Sequence, residues 1–369
     1  MPFDKEIINN ENQIKKTVWT ENIEGEKIIV CKCYSDSDEG RLVANTIFEI
    51  KMREQAFPKD FAILYRTNAQ SRSLEEALRK QNIPYKIYGG LSFYQRKEIK
   101  DILAYCRLTI NPNDEEALKR VINYPTRGIG NTTLQKLIVT ANSEKISIWD
   151  VLNNLDGHNH NINNGSCKKL DEFTTLIKSF ISQKDNRDAY ELTEHIAKTS
   201  GVFHDLYNDK SPEGVSRFEN IQELLNGLKD FCENTEESLL ANYMQDVALL
   251  TNQDNEKTED FNKVTLMTVH AAKGLEFPYV FVVGLEQNLF PSMMAGDSQE
   301  NLEEERRLFY VAITRAERRL FLSHTTNRFK WGQYVDCEPS RFLHELDEKY
   351  ITKTCLLYTS DAADEGLGV

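Results

Sequence analysis

The stretch Val264–Glu276, VTLMTVHAAKGLE, decides the fold together with Glu303–Glu317, EEERRLFYVAITRAE. Each is an apolar run that ends in charged, small and glycine residues at the edge of a predicted strand or helix. Between them lies Tyr279–Leu285, YVFVVGL, a nearly continuous apolar run. Such runs are typical of strands buried on both faces of a parallel sheet. The sequence therefore predicts an α/β fold with a parallel sheet.

Polar side chains stand where these runs end: His270, Lys273, Glu276 and Arg315. Ligands of parallel α/β sheets bind outside the carboxyl ends of the strands. We therefore expect these side chains to gather at one rim of the sheet and to form a site. Lys273 could serve a phosphate or the fold itself, and the sequence does not choose between the two.

The two stretches, in this order, resemble motifs V and VI of the UvrD/Rep/PcrA group of superfamily 1 DNA helicases. The resemblance extends from about Trp19 to Glu348. It implies a RecA-like domain of the P-loop NTPase type, interrupted by an all-helical insertion domain. Further segments are similar to the same group in the same order: Ala62–Leu78 (AILYRTNAQSRSLEEAL), Tyr88–Leu108 (YGGLSFYQRKEIKDILAYCRL), Tyr124–Leu134 (YPTRGIGNTTL) and Glu338–Leu346 (EPSRFLHEL).

The resemblance implies the carboxyl-terminal part of an ATP-dependent helicase that translocates 3′ to 5′ on single-stranded DNA and unwinds duplex. Single-stranded DNA and its junctions with duplex are the implied partners, and ATP and Mg²⁺ are the implied cofactors. The sequence has no G-x-x-x-x-G-K-[ST] loop, no apolar strand ending in paired acids and no Asn-Tyr-Arg-Ser motif. We therefore expect a first RecA-like domain, absent from this chain, to bind most of the nucleotide and the metal. The isolated chain is predicted to be inactive.

Two residues are implied to face the nucleotide. Arg315 matches the arginine that reaches the γ-phosphate, and a permanently charged, forked guanidinium suits oxygens that gain charge in the transition state. Glu276 matches the residue that accepts hydrogen bonds from the ribose hydroxyls. The alternatives are an ion pair of Arg315 with Glu317 or Glu303, and a capping or ion-pair role for Glu276.

One implied DNA-contacting segment is Tyr65–Arg72, YRTNAQSR, which follows an apolar strand and opens a helix. Free backbone amides at helix amino termini favour phosphate. The resemblance assigns Arg66, Asn68 and Arg72 to the backbone of the single strand. The alternative for Arg72 is an ion pair with a glutamate of its own helix.

Thr268 and His270 form a second implied contact with the single strand. Because strand side chains alternate, the two residues are predicted to share one face of a strand. We assign both to phosphate or sugar contacts. A lone histidine is otherwise more often a structural residue.

A third implied DNA contact is the turn formed by Arg127, Gly128, Ile129 and Gly130. It leads into a capped helix, and its two glycines let backbone amides approach a phosphate closely. Within PTRGIGNTTL it resembles the duplex-contacting turn of the helicase group. A G-x-G pattern by itself is weak, and an ordinary turn is the alternative.

Hydrophobic periodicity divides the chain into domains. Strand and helix patterns alternate in residues 1–89 and 260–350, which predicts βαβ units and a RecA-like second domain in two parts. Residues 90–259 show helical patterns almost throughout and are predicted to form an inserted domain, which the resemblance implies to contact duplex DNA. Gly89–Gly90 and the polar run Asn252–Asp260 are the predicted flexible connections.

Residues 351–369 show no periodicity and do not continue the helicase pattern. We expect the authentic sequence to end within Leu346–Tyr350 and leave the following tail, possible read-through of non-native DNA, out of the fold. Near the start of the helical stretch, Phe93 and Tyr94 could stack on bases or belong to the core.

Composition predicts a cytoplasmic protein without a membrane span. No apolar run approaches the roughly 18 residues that such a span needs, and the amino terminus does not read as a signal peptide. The seven cysteines lack C-x-x-C spacing, and Cys31 and Cys33 are predicted to be unpaired on one strand face. His158 and His160 have no cysteine or acid beside them in the sequence, and no metal is predicted there.

The net charge of −13 argues against a protein that binds nucleic acid over its whole surface. The charge is uneven, however: Phe61–Ile110 has nine Lys and Arg against four Asp and Glu, whereas Leu225–Phe261 has two against nine. Two other functions remain open. One is an ATP-independent DNA-binding or regulatory module, and the other is the helicase part of a helicase–nuclease complex.

Overall fold

The computed structural model describes residues 25–253, 261–293, 298–330 and 332–355. The chain divides into two compact units, Met1–Gly90 with Glu259–Val369, and Leu91–Thr258. We refer to them as the sheet unit and the helical unit. Within the described ranges, no helix has the length and apolar character required to cross a membrane.

The sheet unit is built on seven parallel strands, so the predicted α/β fold with a parallel, RecA-like sheet is confirmed. A separate antiparallel hairpin, β7–β8, follows the sixth strand. The strands are β1 (Ile28–Cys33), β2 (Phe61–Tyr65), β3 (Tyr85–Ile87), β4 (Val264–Thr268), β5 (Phe277–Val282), β6 (Ala316–Thr325), β7 (Asn327–Lys330), β8 (Gln333–Asp336) and β9 (Ile351–Cys355). Their order in the main sheet is β3-β4-β2-β5-β6-β1-β9.

Helices of the sheet unit connect these strands, and those of the helical unit follow one another without strands between them. The sheet unit contains α1 (Asp36–Glu54), α2 (Ser71–Lys80), α12 (Gln299–Ile313) and α13 (Arg341–Glu345). The helical unit contains α3 (Lys97–Ile110), α4 (Glu115–Val121), α5 (Asn131–Glu144), α6 (Ile148–Asn153), α7 (Asn164–Ile181), α8 (Ala189–Thr199), α9 (Val202–Asn208), α10 (Pro212–Asn234) and α11 (Leu240–Gln253).

The sheet has a hydrophobic core on each face, and β2 shows why. Its side chains alternate between the faces, and all five of its residues are buried. Phe61 and Ile63 belong to the core that contains Ile47 of α1. Ala62 and Leu64 belong to the opposite core, with side chains of α12. Burial on both faces explains why the central strands are apolar at nearly every position.

The helical unit has a single hydrophobic core shared by its helices. From the sequence, Phe93 and Tyr94 could either stack on bases or belong to the core. They are 0% and 2% exposed and belong to this core. The periodicity predicted the long helices, whereas α6 and α9, of six and seven residues, were not predicted from it.

The expected end of the fold near Tyr350 is wrong. Ile351–Cys355 forms β9, which pairs in parallel with β1 from Ile28↔Ile351 to Lys32↔Cys355. A strand that pairs on only one edge, with three exposed residues, has little apolar periodicity, so no sequence pattern predicted it. The expectation for the rest of the tail falls on residues outside the described ranges.

Candidate functional site

The carboxyl ends of β2 and β4 lie side by side. These strands are neighbours in the sheet, and their register pairs Tyr65 with Thr268 at the last residue of each. The chain segments that leave the two strands, beginning with Arg66 and Val269, therefore start at the same rim. Arg66, Thr268 and His270 lie at this rim, and we call them the strand-end cluster. Glu276 and Arg315 directly precede β5 and β6, which run parallel to β2, so they lie at the opposite, amino-terminal edge of the sheet and not at the predicted rim.

The Arg66 guanidinium is held by Glu305 of α12. Its Nη2 donates to Oε1 at 2.6 Å, and its Nε lies 3.1 Å from each carboxylate oxygen. The Glu305 side chain is 7% exposed and that of Arg66 is 21% exposed. Glu305 also accepts from the backbone amide of Ser292 at 3.2 Å. Arg66 thus lies at the rim, where one edge of its guanidinium is bound to Glu305 and part of the side chain is exposed to solvent.

Gln70 shapes the segment that carries Arg66. Its Oε1 accepts from the backbone amides of Arg66 and Thr67, both at 2.9 Å. Its Nε2 lies 3.5 Å from the Val283 carbonyl oxygen, just beyond β5. A Cβ added to Gly284, whose φ is +68°, would lie 2.1 Å from this nitrogen. The position therefore requires glycine both for its backbone angle and for space.

The expectation that Thr268 and His270 share a strand face is wrong. β4 ends at Thr268, and Val269–Ala272 forms a 3₁₀ turn. The Thr268 hydroxyl accepts from the Ala271 amide at 3.4 Å and caps this turn. His270 is exposed, and partial burial together with the nearby charge of Arg66 lowers its pKa, which Glu305 opposes. The histidine is still close to Arg66, but through the turn and not through strand alternation.

Arg315 and Glu276 are joined through the backbone. Arg315 follows the end of α12, and its Nη1 donates to the Leu275 carbonyl oxygen at 2.8 Å. The Phe277 amide donates to the Arg315 carbonyl oxygen at 2.9 Å. Glu276 lies between these two anchor points, and its side chain is exposed. The two candidate nucleotide residues are therefore close. They precede β5 and β6, however, so the expectation that they gather with His270 at the carboxyl ends of the strands is wrong.

The Arg315 guanidinium is positioned by neutral acceptors. Its Nε donates to the Val311 carbonyl oxygen at 3.0 Å, and its Nη2 donates to the Thr314 hydroxyl at 3.0 Å. Together with the bond to Leu275, these contacts use three of the five guanidinium N–H groups. The alternative ion pairs with acids of α12 or β6 are not found among the described residues.

Arg72 does not belong to a DNA-contacting surface in this structure. Its side chain is 1% exposed and pairs with Asp36 at 3.2 Å and with Glu76 at 2.9 Å. A buried guanidinium with two carboxylate partners ties α1 to α2 and is inaccessible to a phosphate. The ion-pair alternative from the sequence is correct for this residue. Asn68, in contrast, is exposed in the 3₁₀ turn before α2.

The turn Arg127–Gly130, which we call the glycine turn, is organised by its own arginine. Arg127 Nη1 donates to the carbonyl oxygens of Tyr124 at 2.8 Å and Val121 at 3.0 Å. Its Nη2 donates to the Tyr105 hydroxyl at 2.7 Å and to the Ser200 carbonyl oxygen at 3.0 Å. The expectation that this side chain contacts DNA is not supported, because these internal acceptors occupy it.

The other residues of the glycine turn divide between core and surface. Ile129 is 2% exposed and packs in the core, so its side chain is not a DNA contact. Gly128, with φ +72°, and Gly130 are exposed. The amides of Arg127 and Ile129 both donate to the Asn123 Oδ1 at 3.0 Å. Gly130 precedes α5, so the turn leads into a helix as predicted.

Comparison with known proteins agrees with this geometry. The UvrD-like helicase C-terminal domain family matches residues 3–327. The chain belongs to this family. It is 41% identical to the ATP-dependent DNA helicase PcrA of Staphylococcus aureus over 355 residues, covering 94% of this chain and 47% of the relative. It is 40% identical to the helicase of the same name from Staphylococcus epidermidis over 352 residues, covering 93% and 47%. The chain thus spans about half the length of these relatives.

A buried charge network in this UvrD-like domain was missed by the sequence analysis. Arg328 Nε donates to Glu286 Oε2 at 2.6 Å, and its Nη2 reaches Glu286 at 2.9 Å and Glu39 at 3.4 Å. Burial alone would raise the pKa of Glu286, but Arg328 and Thr325 lower it to about 2. Burial raises the pKa of Glu39. No sequence signal marks this network, because its members come from α1, the β5–β6 connection and β7.

The side chains of Arg315 and Glu276 indicate which cofactor groups the UvrD-like domain could hold. A guanidinium with two uncommitted N–H groups beside an exposed carboxylate suits an anionic phosphate and a sugar hydroxyl. Among the described residues, no group of three or more His, Cys, Asp and Glu could hold a metal ion. An acid does accompany His158, contrary to the sequence reading: its Nδ1 lies 2.6 Å from Glu144. The six cysteines whose side chains the structure describes are unpaired.

Proposed function

We propose that this chain is the carboxyl-terminal part of an ATP-dependent DNA helicase that translocates 3′ to 5′ on single-stranded DNA and unwinds duplex. The observation that carries the proposal is the placement of the candidate residues in a UvrD-like domain. Arg315 and Glu276 lie together before β6 and β5, and Arg66 follows β2 at the other edge of the sheet. Identity of 41% to an ATP-dependent DNA helicase supports it. The protein would work in the cytoplasm with a first RecA-like domain that this chain does not contain.

The nucleotide side of the proposal concerns Arg315 and Glu276. Two remaining N–H groups of Arg315 would meet the γ-phosphate of ATP while the other three keep the guanidinium in place. Bound ATP supplies the phosphoanhydride whose cleavage drives the cycle. Arg315 would stabilise charge on the phosphoryl oxygens, a contribution of ~10³–10⁵ in rate for comparable arginines. Glu276 would accept hydrogen bonds from the ribose. Most of the ATP contacts, and Mg²⁺, would belong to the first RecA-like domain.

The DNA side of the proposal uses a smaller set of residues than the sequence implied. Arg66, Asn68, Thr268 and His270 would contact the backbone of the single strand at the rim, and Gly128 and Gly130 would approach duplex phosphates through their amides. Arg72, Arg127 and the Ile129 side chain are left out, because the first two have internal partners and the third is in the core.

The test is a chimeric helicase. The portion of the Staphylococcus aureus relative that this chain does not cover is fused to the amino terminus of this chain. We expect DNA-stimulated ATP hydrolysis and unwinding of a 3′-tailed duplex in preference to a 5′-tailed one. Arg315→Ala should reduce ATP turnover by ~10³-fold or more while retaining DNA binding, because only transition-state charge loses its partner.

Two controls accompany the chimera. Arg318→Ala removes an exposed arginine three residues further on and should leave turnover unchanged. The unfused chain should hydrolyse no ATP. ATP hydrolysis by the unfused chain, or full activity of the Arg315→Ala chimera, would overturn the proposal.

A further inference from the structure

The side chain of Lys169 reaches the glycine turn from another helix. Lys169 lies near the start of α7, and its Nζ donates to the Gly128 carbonyl oxygen at 3.3 Å. The residue is exposed. No carboxylate within ion-pair distance of its ammonium is found in the described parts of the chain, including Glu172 on the next turn of α7. A lysine without an acidic partner thus stands beside the backbone that was predicted to approach DNA.

The amides available in the turn are fewer than its sequence indicated. Asn123 accepts from the amides of Arg127 and Ile129, so these two donors are occupied. Within the described ranges, no acceptor is found for the amides of Gly128 and Gly130. Two neutral N–H groups alone form a weak phosphate site. A charged donor beside them would make the site stronger, because hydrogen bonds to an ionised group are roughly twice as strong.

Lys169 also removes an electrostatic obstacle. The Gly128 carbonyl oxygen carries the negative end of its peptide dipole, which would repel a phosphate. The Lys169 ammonium, which donates to this oxygen, offsets the repulsion and has two further N–H donors. A Cβ added to Gly128 would lie 2.5 Å from the ammonium nitrogen. Glycine at this position therefore allows both the positive φ and the approach of the lysine.

We propose that Lys169, together with the amides of Gly128 and Gly130, binds one backbone phosphate of duplex DNA. The inference rests on the proposed duplex contact of the glycine turn and adds the charged residue that makes it a phosphate site. The two amides would orient the phosphate, and the ammonium would add a positive charge beside it. Lys169 should therefore increase affinity for duplex DNA of any base sequence.

The experiment measures fluorescence anisotropy of the whole 369-residue chain with two labelled probes. One probe is a DNA hairpin duplex with a 3′ single-stranded tail, and the other is the tail alone. Lys169→Gln should weaken binding to the tailed duplex by about fivefold and lower the salt slope by about 0.9, the loss of one duplex phosphate contact. Binding to the tail alone should not change. Lys169→Arg should retain affinity for both probes.

Lys168→Gln is the matched control, since Lys168 is the exposed neighbour on the same helix and has no contact with the turn. Equal affinities of the Lys168 and Lys169 variants for the tailed duplex would overturn the inference while leaving the proposed function intact. If the unmodified chain binds the tailed duplex no more tightly than the tail, the duplex contact of the glycine turn itself fails. Urea unfolding of both variants should match the unmodified chain, because both side chains are exposed.

Discussion

The strand-end cluster and the glycine turn each carry an arginine that sequence motifs assign to a ligand, but the structure uses the two arginines differently. At the edges of the sheet, contacts within the described residues leave two N–H groups of Arg315 uncommitted, and Arg66 pairs with Glu305 while part of its surface is exposed. In the glycine turn, Arg127 donates to carbonyl oxygens of neighbouring segments and to Tyr105. The sheet edges offer side chains to a ligand, whereas the turn offers backbone.

The difference follows from how each segment is supported. The ends of parallel strands are already fixed by the sheet ladder, so side chains beyond them need little further support. A loop between α4 and α5 has no ladder, and its carbonyl oxygens need donors from a side chain. A charged residue in a ligand-binding motif can therefore be required for the shape of the site without touching the ligand.

The largest loss of unfolding free energy should come from the buried network of Arg328, Glu286 and Glu39, in which charged side chains serve the fold alone. Glu286→Gln removes the main partner of buried Arg328 and should cost about 3 kcal/mol of unfolding free energy in urea at neutral pH. Glu39→Gln is the matched control and should cost less than about 1 kcal/mol, because burial already raises the pKa of this carboxyl. Equal costs for the two variants would contradict the assignment.

The same pair predicts a pH dependence. The pKa of Glu286 falls from 4.5 to about 2 on folding, so its contribution is fully present above pH 4.5 and is lost as the pH falls towards 2. Glu39, with its raised pKa, acts in the opposite direction. The difference in unfolding free energy between the unmodified chain and Glu286→Gln should therefore shrink on acidification below pH 4.5.

The next effect tests whether Arg127 is structural. Arg127→Ala removes the guanidinium that donates to the carbonyl oxygens of Val121, Tyr124 and Ser200, and it should cost about 2–3 kcal/mol of unfolding free energy. Arg217→Ala, which removes an exposed helical ion pair with Glu213, should cost less than about 0.5 kcal/mol. If Arg127→Ala is as stable as the unmodified chain but binds duplex DNA more weakly, Arg127 contacts the ligand and is not a structural residue.

A smaller effect tests Arg66 at the rim. Arg66→Ala alone would leave Glu305 buried without its partner, so the informative variant is Arg66→Ala with Glu305→Gln. It should weaken binding of a labelled single strand by roughly 1 kcal/mol, about fivefold, with a salt slope lower by about 0.7. Glu305→Gln alone should retain the affinity. If both variants bind the single strand equally, Arg66 makes no phosphate contact.

The smallest effect concerns His270. Its pKa lies below 6.5, so it becomes charged only as the pH falls below that value. A phosphate contact then predicts that affinity for a labelled single strand rises by about threefold as the pH is lowered through this range. His270→Gln should flatten the profile, whereas His204→Gln, at an exposed position in the helical unit, should not. A profile unchanged by His270→Gln would remove the histidine from the DNA-binding set.

The sequence by itself determined the fold class and the long elements. Continuous apolar runs predicted buried parallel strands, and β2 is such a strand with all five residues buried. These features follow from local periodicity. The rule that parallel strands present their carboxyl ends at one edge placed Arg66 and Thr268 together correctly but misplaced Glu276 and Arg315, which precede β5 and β6.

Only the tertiary structure decided which polar side chains are left for a ligand. Arg66 and Arg72 are six residues apart in one motif, yet one is at the rim and the other is buried between Asp36 and Glu76. The partners that make this difference are supplied by other elements, as are those of Arg127 and Arg328. Exposure and satisfied hydrogen bonds depend on contacts between residues distant in the chain, and these are not encoded in the local pattern of any motif.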